Sequence, residues 1–136
     1  MKNTEIIELL SELVEIPSIS SLEENQKDVL ESANYISDLF KKVGLKSKVT
    51  SSKNSKPAVL AHTEIDPSKK TVLLYAHHDV QPVGDINKWN TDPFKPEIID
   101  GRLFARDAVS PSLLMSYAIL PEITSTVKTL AFSSSS

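Results

Sequence analysis

Thr71-Val72-Leu73-Leu74-Tyr75-Ala76-His77-His78-Asp79-Val80-Gln81-Pro82 is the stretch from which the architecture of this 136-residue chain can be read. Residues 71–76 form a nearly continuous apolar run, which predicts a strand buried on both faces and central in a sheet. Side chains alternate along a strand, so His77 and Asp79 are expected on one side and His78 on the other. An imidazole and a carboxylate two residues apart at a strand's C-terminal end have the placement of a metal ligand and the group that steadies it. A buried histidine satisfied by hydrogen bonds is the structural alternative for His77, and a turn before Pro82 is the alternative for Asp79.

Upstream, Ile6, Leu9, Leu10, Leu13 and Val14 recur at helical spacing and predict a helix over about residues 3–15, stopped by Ile16-Pro17 and laid with one face against the sheet. Ser18-Ile19-Ser20-Ser21 reads as a loop, and Ser21 with Glu24 as a capping box that opens a second helix. Val29, Ala33, Ile36, Phe40 and Val43 keep to one stripe of that helix until Gly44 ends it. Residues 46–50 and 58–65 read as strands on either side of a polar turn.

After Pro82 the chain is irregular to about residue 96. A hairpin follows, with Asp100-Gly101 as a type I′ turn. Ser110-Pro111 is expected to start a last helix that ends at Pro121, and residues 126–132 to form a last strand. Helices at the start, a strand buried on both faces and a hairpin together predict an α/β sandwich with a mixed sheet.

Composition removes several classes of function. A net charge of −3 offers no basic footprint for nucleic acid, and Lys41, Lys42, Lys46, Lys48, Lys53 and Lys56 flank a helix end and a loop without aromatic interleaving. With no cysteine, a metal would have to be held by His, Asp or Glu. The opening residues carry acids among their apolar positions, unlike a secretory leader, and no apolar run reaches membrane-spanning length. A cytoplasmic protein without membrane or nucleic-acid partners is the expectation.

Three segments carry a family resemblance. Tyr75-Ala76-His77-His78-Asp79-Val80-Gln81-Pro82, Trp89-Asn90-Thr91-Asp92-Pro93-Phe94 and Asp100-Gly101-Arg102-Leu103-Phe104-Ala105-Arg106 resemble, in order and at similar spacing, motifs of the co-catalytic zinc metallopeptidases that include carnosinase-like dipeptidases and aminoacylases. The resemblance covers about residues 3–120. It implies a three-layer α/β sandwich of the zinc-exopeptidase type, incomplete on its C-terminal side. Residues 1–136 would be one partial catalytic-type domain without a dimerisation domain. The implied chemistry is zinc-dependent hydrolysis of small peptides, with His77 as a metal ligand and Asp79 as its catalytic support.

Departures from the family pattern matter as much as the matches. The position of the aspartate that bridges two metals falls on Ser110, and Asp107 stands where glycine is usual. Ser133 to Ser136 occupy the place of an expected Glu-Glu pair. One ligand cannot hold a catalytic zinc, so the chain alone is expected to be an inactive or incomplete hydrolase with weak or absent metal binding. The alternative is a non-catalytic module that self-associates or accepts a complementing chain through an exposed sheet edge. A truncated product without a selected function is the third and blandest alternative. His78 and His62 are read as structural histidines, Trp89 and Phe94 as packing residues, and Arg102 and Arg106 as partners of nearby acids.

Overall fold

A computed structural model of the chain describes residues 3–53, 55–64, 66–70, 72–106 and 129–133. Helix α1 (Asn3–Val14) is followed by a 3₁₀ turn (Glu23–Asn25) and helix α2 (Gln26–Lys42). Then come β1 (Lys46–Thr50), β2 (Ala58–His62), β3 (Leu73–Ala76), the hairpin strands β4 (Glu97–Ile99) and β5 (Arg102–Phe104), and β6 (Thr129–Ser133). One sheet has the order β1-β2-β6-β3, antiparallel between its first three strands and parallel between β6 and β3. The expected α/β class and mixed sheet are therefore present. A helical layer on the second face of the sheet is not among the described residues.

The stripe read on α2 does what its spacing implies. Val29, Ala33, Ile36 and Phe40 are buried, and Ala33, Ile36 and Phe40 join Leu45, Val59, Ala61 and Ala76 in one core cluster. Removing this apolar area from water is the main stabilising term on this side of the sheet. Gly44 adopts φ +85°, and the helix closes with Gly44 N–H donating to the Lys41 carbonyl (2.9 Å) and Leu45 N–H to the Phe40 carbonyl (3.0 Å). That is the Schellman arrangement, and it delivers Leu45 into the core beside Phe40. At the margin of the core, Leu13 of α1 packs against the cluster, and Tyr35 of α2 donates to Glu12 (2.6 Å).

Several expectations need correction. The capping box does not form: α2 begins at Gln26, with Asn25 as its N-cap and no side-chain capping bond there. The preceding loop is held by other bonds, with Asn25 Nδ2 donating to the Pro17 carbonyl and Gln26 Nε2 to the Leu22 carbonyl. β2 stops at His62 because its partner β1 begins at Lys46, directly opposite.

β3, expected at the centre of the sheet, lies at its edge among the described residues, because β6 enters between it and β2. Nor is β3 buried on both faces: Leu73 and Tyr75 are 63% and 67% exposed, whereas Ala76 on the helix side is 3% exposed. The last strand spans Thr129–Ser133, so Ser133 pairs with Ala58 inside the sheet rather than following it. Ser110, Asp107 and the expected last helix lie outside the described residues. The Asp100-Gly101 hairpin forms as expected, with both residues at positive φ and Ile99 paired to Arg102.

Candidate metal-ligand segment

At the C-terminal end of β3 two adjacent histidines part company. The His77 side chain stays 41% exposed. Its Nδ1 lies 2.9 Å from the main-chain oxygen of Asp79 and 3.6 Å from the carboxylate Oδ1 of the same residue. A carbonyl oxygen only accepts, so Nδ1 carries the proton, and Nε2 is left as the nitrogen with a lone pair. This tautomer suits a metal ligand. The ring is steadied chiefly by the Asp79 carbonyl, with the carboxylate behind it.

His78 turns the other way and is buried. Its Nε2 donates to the Pro57 carbonyl (3.2 Å), and its Nδ1 faces the Ser32 hydroxyl (3.2 Å). Burial disfavours the charged ring and holds its pKa below the ordinary histidine value, although the Pro57 carbonyl and the Asp79 carboxylate pull in the opposite direction. His78 is thus a structural histidine that joins β3 to α2 and to the start of β2.

Asp79 is also buried, and the Ser20 hydroxyl donates to its Oδ2. Ser18 donates to the His78 carbonyl (3.2 Å), Val80 N–H donates to the Ser18 carbonyl (3.0 Å), and Ile19 forms a parallel bridge with Val80. Among the described residues no buried side-chain polar atom is left without a partner. Reading the sequence left Ser18, Ser20 and Ser32 unassigned, although signals were there. Ser18 and Ser20 flank Ile19 with a strand's period, and Ser32 interrupts the apolar stripe of α2.

The remaining candidates lie elsewhere. His62 Nδ1 bonds the Thr63 carbonyl (2.7 Å). Trp89 Nε1 donates to the Val83 carbonyl (2.9 Å), and its ring helps line an open hollow of about 350 Å³ with Lys88, Arg102 and Phe104, in which the His77 group has no part. Arg106 was expected to pair with an acid. Instead its Nε donates to the Gln81 carbonyl (2.9 Å), while its N–H donates to the Pro93 carbonyl (2.6 Å), so it ties the loop after Asp79 to the Pro93 segment. Arg102 has no carboxylate partner among the described residues.

This geometry sits inside a region with known relatives. Residues 73–131, from β3 into β6, match the model of Peptidase family M20/M25/M40. The chain is a relative of the M20 peptidases. It is 37% identical over 117 residues to the Cys-Gly metallodipeptidase dug1 of Schizosaccharomyces pombe, a match covering 79% of this chain and 25% of that protein. Its fold superposes on the dipeptidase Dug1p of Saccharomyces cerevisiae with a TM-score of 0.79 at 27% identity, covering 96% of this chain and 32% of that one. Human carnosine dipeptidase 1 shares the fold, with a TM-score of 0.82 at 23% identity over 96% of this chain and 32% of that one. The chain spans about a quarter of the length of the curated M20 relatives it matches.

M20 metallopeptidases imply a divalent metal. Among the described residues, His77 has its Nδ1 anchored by the Asp79 carbonyl. They do not make a centre, since no group of three or more His, Asp or Glu capable of holding a metal occurs among the described residues, and catalytic sites ordinarily need three protein ligands. No helix among the described residues is long and apolar enough to cross a membrane.

Proposed function

We propose that this chain is the portion of a zinc-dependent M20 dipeptidase that carries one metal ligand, His77, with Asp79 as its support, and that the 136-residue polypeptide alone does not hydrolyse peptides. The ancestral reaction is hydrolysis of an amide bond in a small peptide, and the proposed compartment is the cytoplasm. The observation that carries this reading is the His77 ring, held through Nδ1 by Asp79 at the C-terminal end of β3 with Nε2 left to bind. Its similarity to Cys-Gly metallodipeptidases supports the substrate class.

The test is zinc titration of the purified chain together with hydrolysis of Cys-Gly and β-Ala-His in added zinc or manganese. Weak zinc binding without turnover is expected, because a single imidazole lacks the chelation that a stable site requires. Ser110→Asp is expected to leave turnover undetectable, as it adds a carboxylate without the other ligands or a general base. Stoichiometric tight zinc lost on His77→Ala, or turnover by either protein, would overturn the proposal.

A second reading is favoured by the edge position of β3 among the described residues and the exposure of Leu73 and Tyr75. In that reading the chain is a module that pairs with a copy of itself or with a complementing polypeptide. Sedimentation of the chain over a range of concentrations separates a monomer from a self-associating module.

A further inference from the structure

Beside the β4-β5 hairpin, Lys88, Trp89, Arg102 and Phe104 help line an open hollow of about 350 Å³ to which neither His77 nor Asp79 contributes. Arg102 and Phe104 stand two residues apart on β5 and so share one face of the hairpin. The chain carries 18 acidic against 15 basic side chains, yet the residues lining this hollow include two cations and no acid. Neither Lys88 nor Arg102 is paired with a carboxylate among the described residues. Glu97, paired with Phe104 across the hairpin and so on the Arg102 face, makes no ion pair with that arginine.

The walls are held together without drawing on those charges. Asp85 Oδ1 accepts from Asn87 N–H (3.1 Å), Trp89 N–H donates to the Ile86 carbonyl (3.2 Å), and Trp89 Nε1 donates to the Val83 carbonyl (2.9 Å). The single donor of the indole is thereby spent, and what Trp89 has left for a ligand is its flat apolar ring. Arg106, which follows the lining residue Ala105, bonds the Gln81 and Pro93 carbonyls and so ties the exit of the hairpin to the loop that carries Trp89. A ligand entering this hollow meets a largely preformed surface, which lowers the ordering cost of binding.

We propose that the hollow binds a small carboxylate with a flat apolar body, an aromatic acid being the simplest case. Arg102 takes the carboxylate, Lys88 supports it, and the apolar body lies against Trp89 and Phe104. A guanidinium presents parallel N–H donors that match the two carboxylate oxygens, whereas an ammonium adds a point charge without demanding a fixed geometry. The aromatic surfaces favour the body by removing it from water, a gain that a bare anion forgoes. The site needs no metal and does not depend on the reading of His77.

Trp89 is the single tryptophan of the chain, so its fluorescence reports on the hollow directly. The purified chain is titrated with 3-phenylpropionate, with the uncharged amide of that acid and with inorganic phosphate, all at one ionic strength because salt screens exposed charges. A saturable change in emission is expected with 3-phenylpropionate. Affinity is expected to fall at least about tenfold for the amide and at least about tenfold for the acid in Arg102→Gln, with a smaller loss in Lys88→Gln. Phosphate at the concentration that saturates the response to the acid is expected to leave the emission unchanged. Equal affinity for acid and amide, a response to phosphate as strong as that to the acid, an unchanged affinity in Arg102→Gln or a response that never saturates would each overturn the proposal.

A second measurement needs only the parent chain. Amide resonances shifted by 3-phenylpropionate are expected at residues 88–91 and 102–105, and shifts gathered instead around Leu73 and Tyr75 would sink the assignment.

Discussion

The two sides of β3 differ sharply in exposure. On the helix side, Ala76 and partly buried Leu74 pack into a core built by Phe40, Ile36, Ala33, Val59 and Ala61, and His78 continues that side into a closed set of hydrogen bonds. On the other side, Leu73, Tyr75 and His77 stand in solvent to between 41% and 67%. A residue's neighbour in sequence is therefore a poor guide to its energetic weight here. Which side of the strand it occupies decides whether it holds the fold together or remains available for a ligand or partner.

The strongest test of this asymmetry is truncation on the closed side. Phe40→Ala is expected to cost about 3–5 kcal/mol, from lost burial and the cavity left behind, measured as a fall in the urea midpoint with unchanged slope. A loss under about 1 kcal/mol would mean that the core is not packed as described.

The histidine pair sharpens the contrast. His78→Ala strands the Pro57 carbonyl and is expected to cost about 1–3 kcal/mol. His77→Ala, one residue away, is expected to stay within about 0.5 kcal/mol of the parent. Equal losses at the two positions would remove the distinction between a structural histidine and one held in readiness.

A smaller effect should appear with pH. The folded-state pKa of His78 lies below its ordinary value of 6.5 because burial disfavours the charged ring. Below pH 6.5 the unfolded chain therefore takes up a proton that the folded chain resists, so stability rises with pH toward 6.5 and levels off above it for this group. The contribution is lost as pH falls from 6.5 toward the depressed folded value. Urea midpoints between pH 5 and 8 should show a gradient that is shallower in His78→Gln. A gradient of the same size in the variant would assign it to other groups.

The smallest effect belongs to the open side. Leu73→Ser is expected to change stability by less than about 0.5 kcal/mol. If the face serves self-association, the same change lowers the weight-average mass in sedimentation, and an unchanged mass excludes Leu73 from such an interface.

Local order was legible in the sequence wherever local rules control it. The period of Val29, Ala33, Ile36 and Phe40 located α2 and its buried face, Gly44 marked its end, and Asp100-Gly101 marked the hairpin. Each of these depends on contacts or dihedral angles within a few residues. The order of the three motif segments was enough to place the chain with the M20 peptidases.

Only the tertiary structure decided where β3 lies. A continuous apolar run is compatible with the centre of a sheet or with one covered face, and the choice depends on β6, which enters from more than fifty residues away. Distance along the chain likewise hid the partners of the histidine segment. Ser18, Ser20 and Ser32 lie 46 to 60 positions before the groups they hold, and a serine in a loop or helix looks the same in sequence whether it meets water or a buried carboxylate. Side-chain chemistry was therefore determined by sequence alone, while the exposure of His77 and the enclosure of His78 were determined by what the fold brought against them.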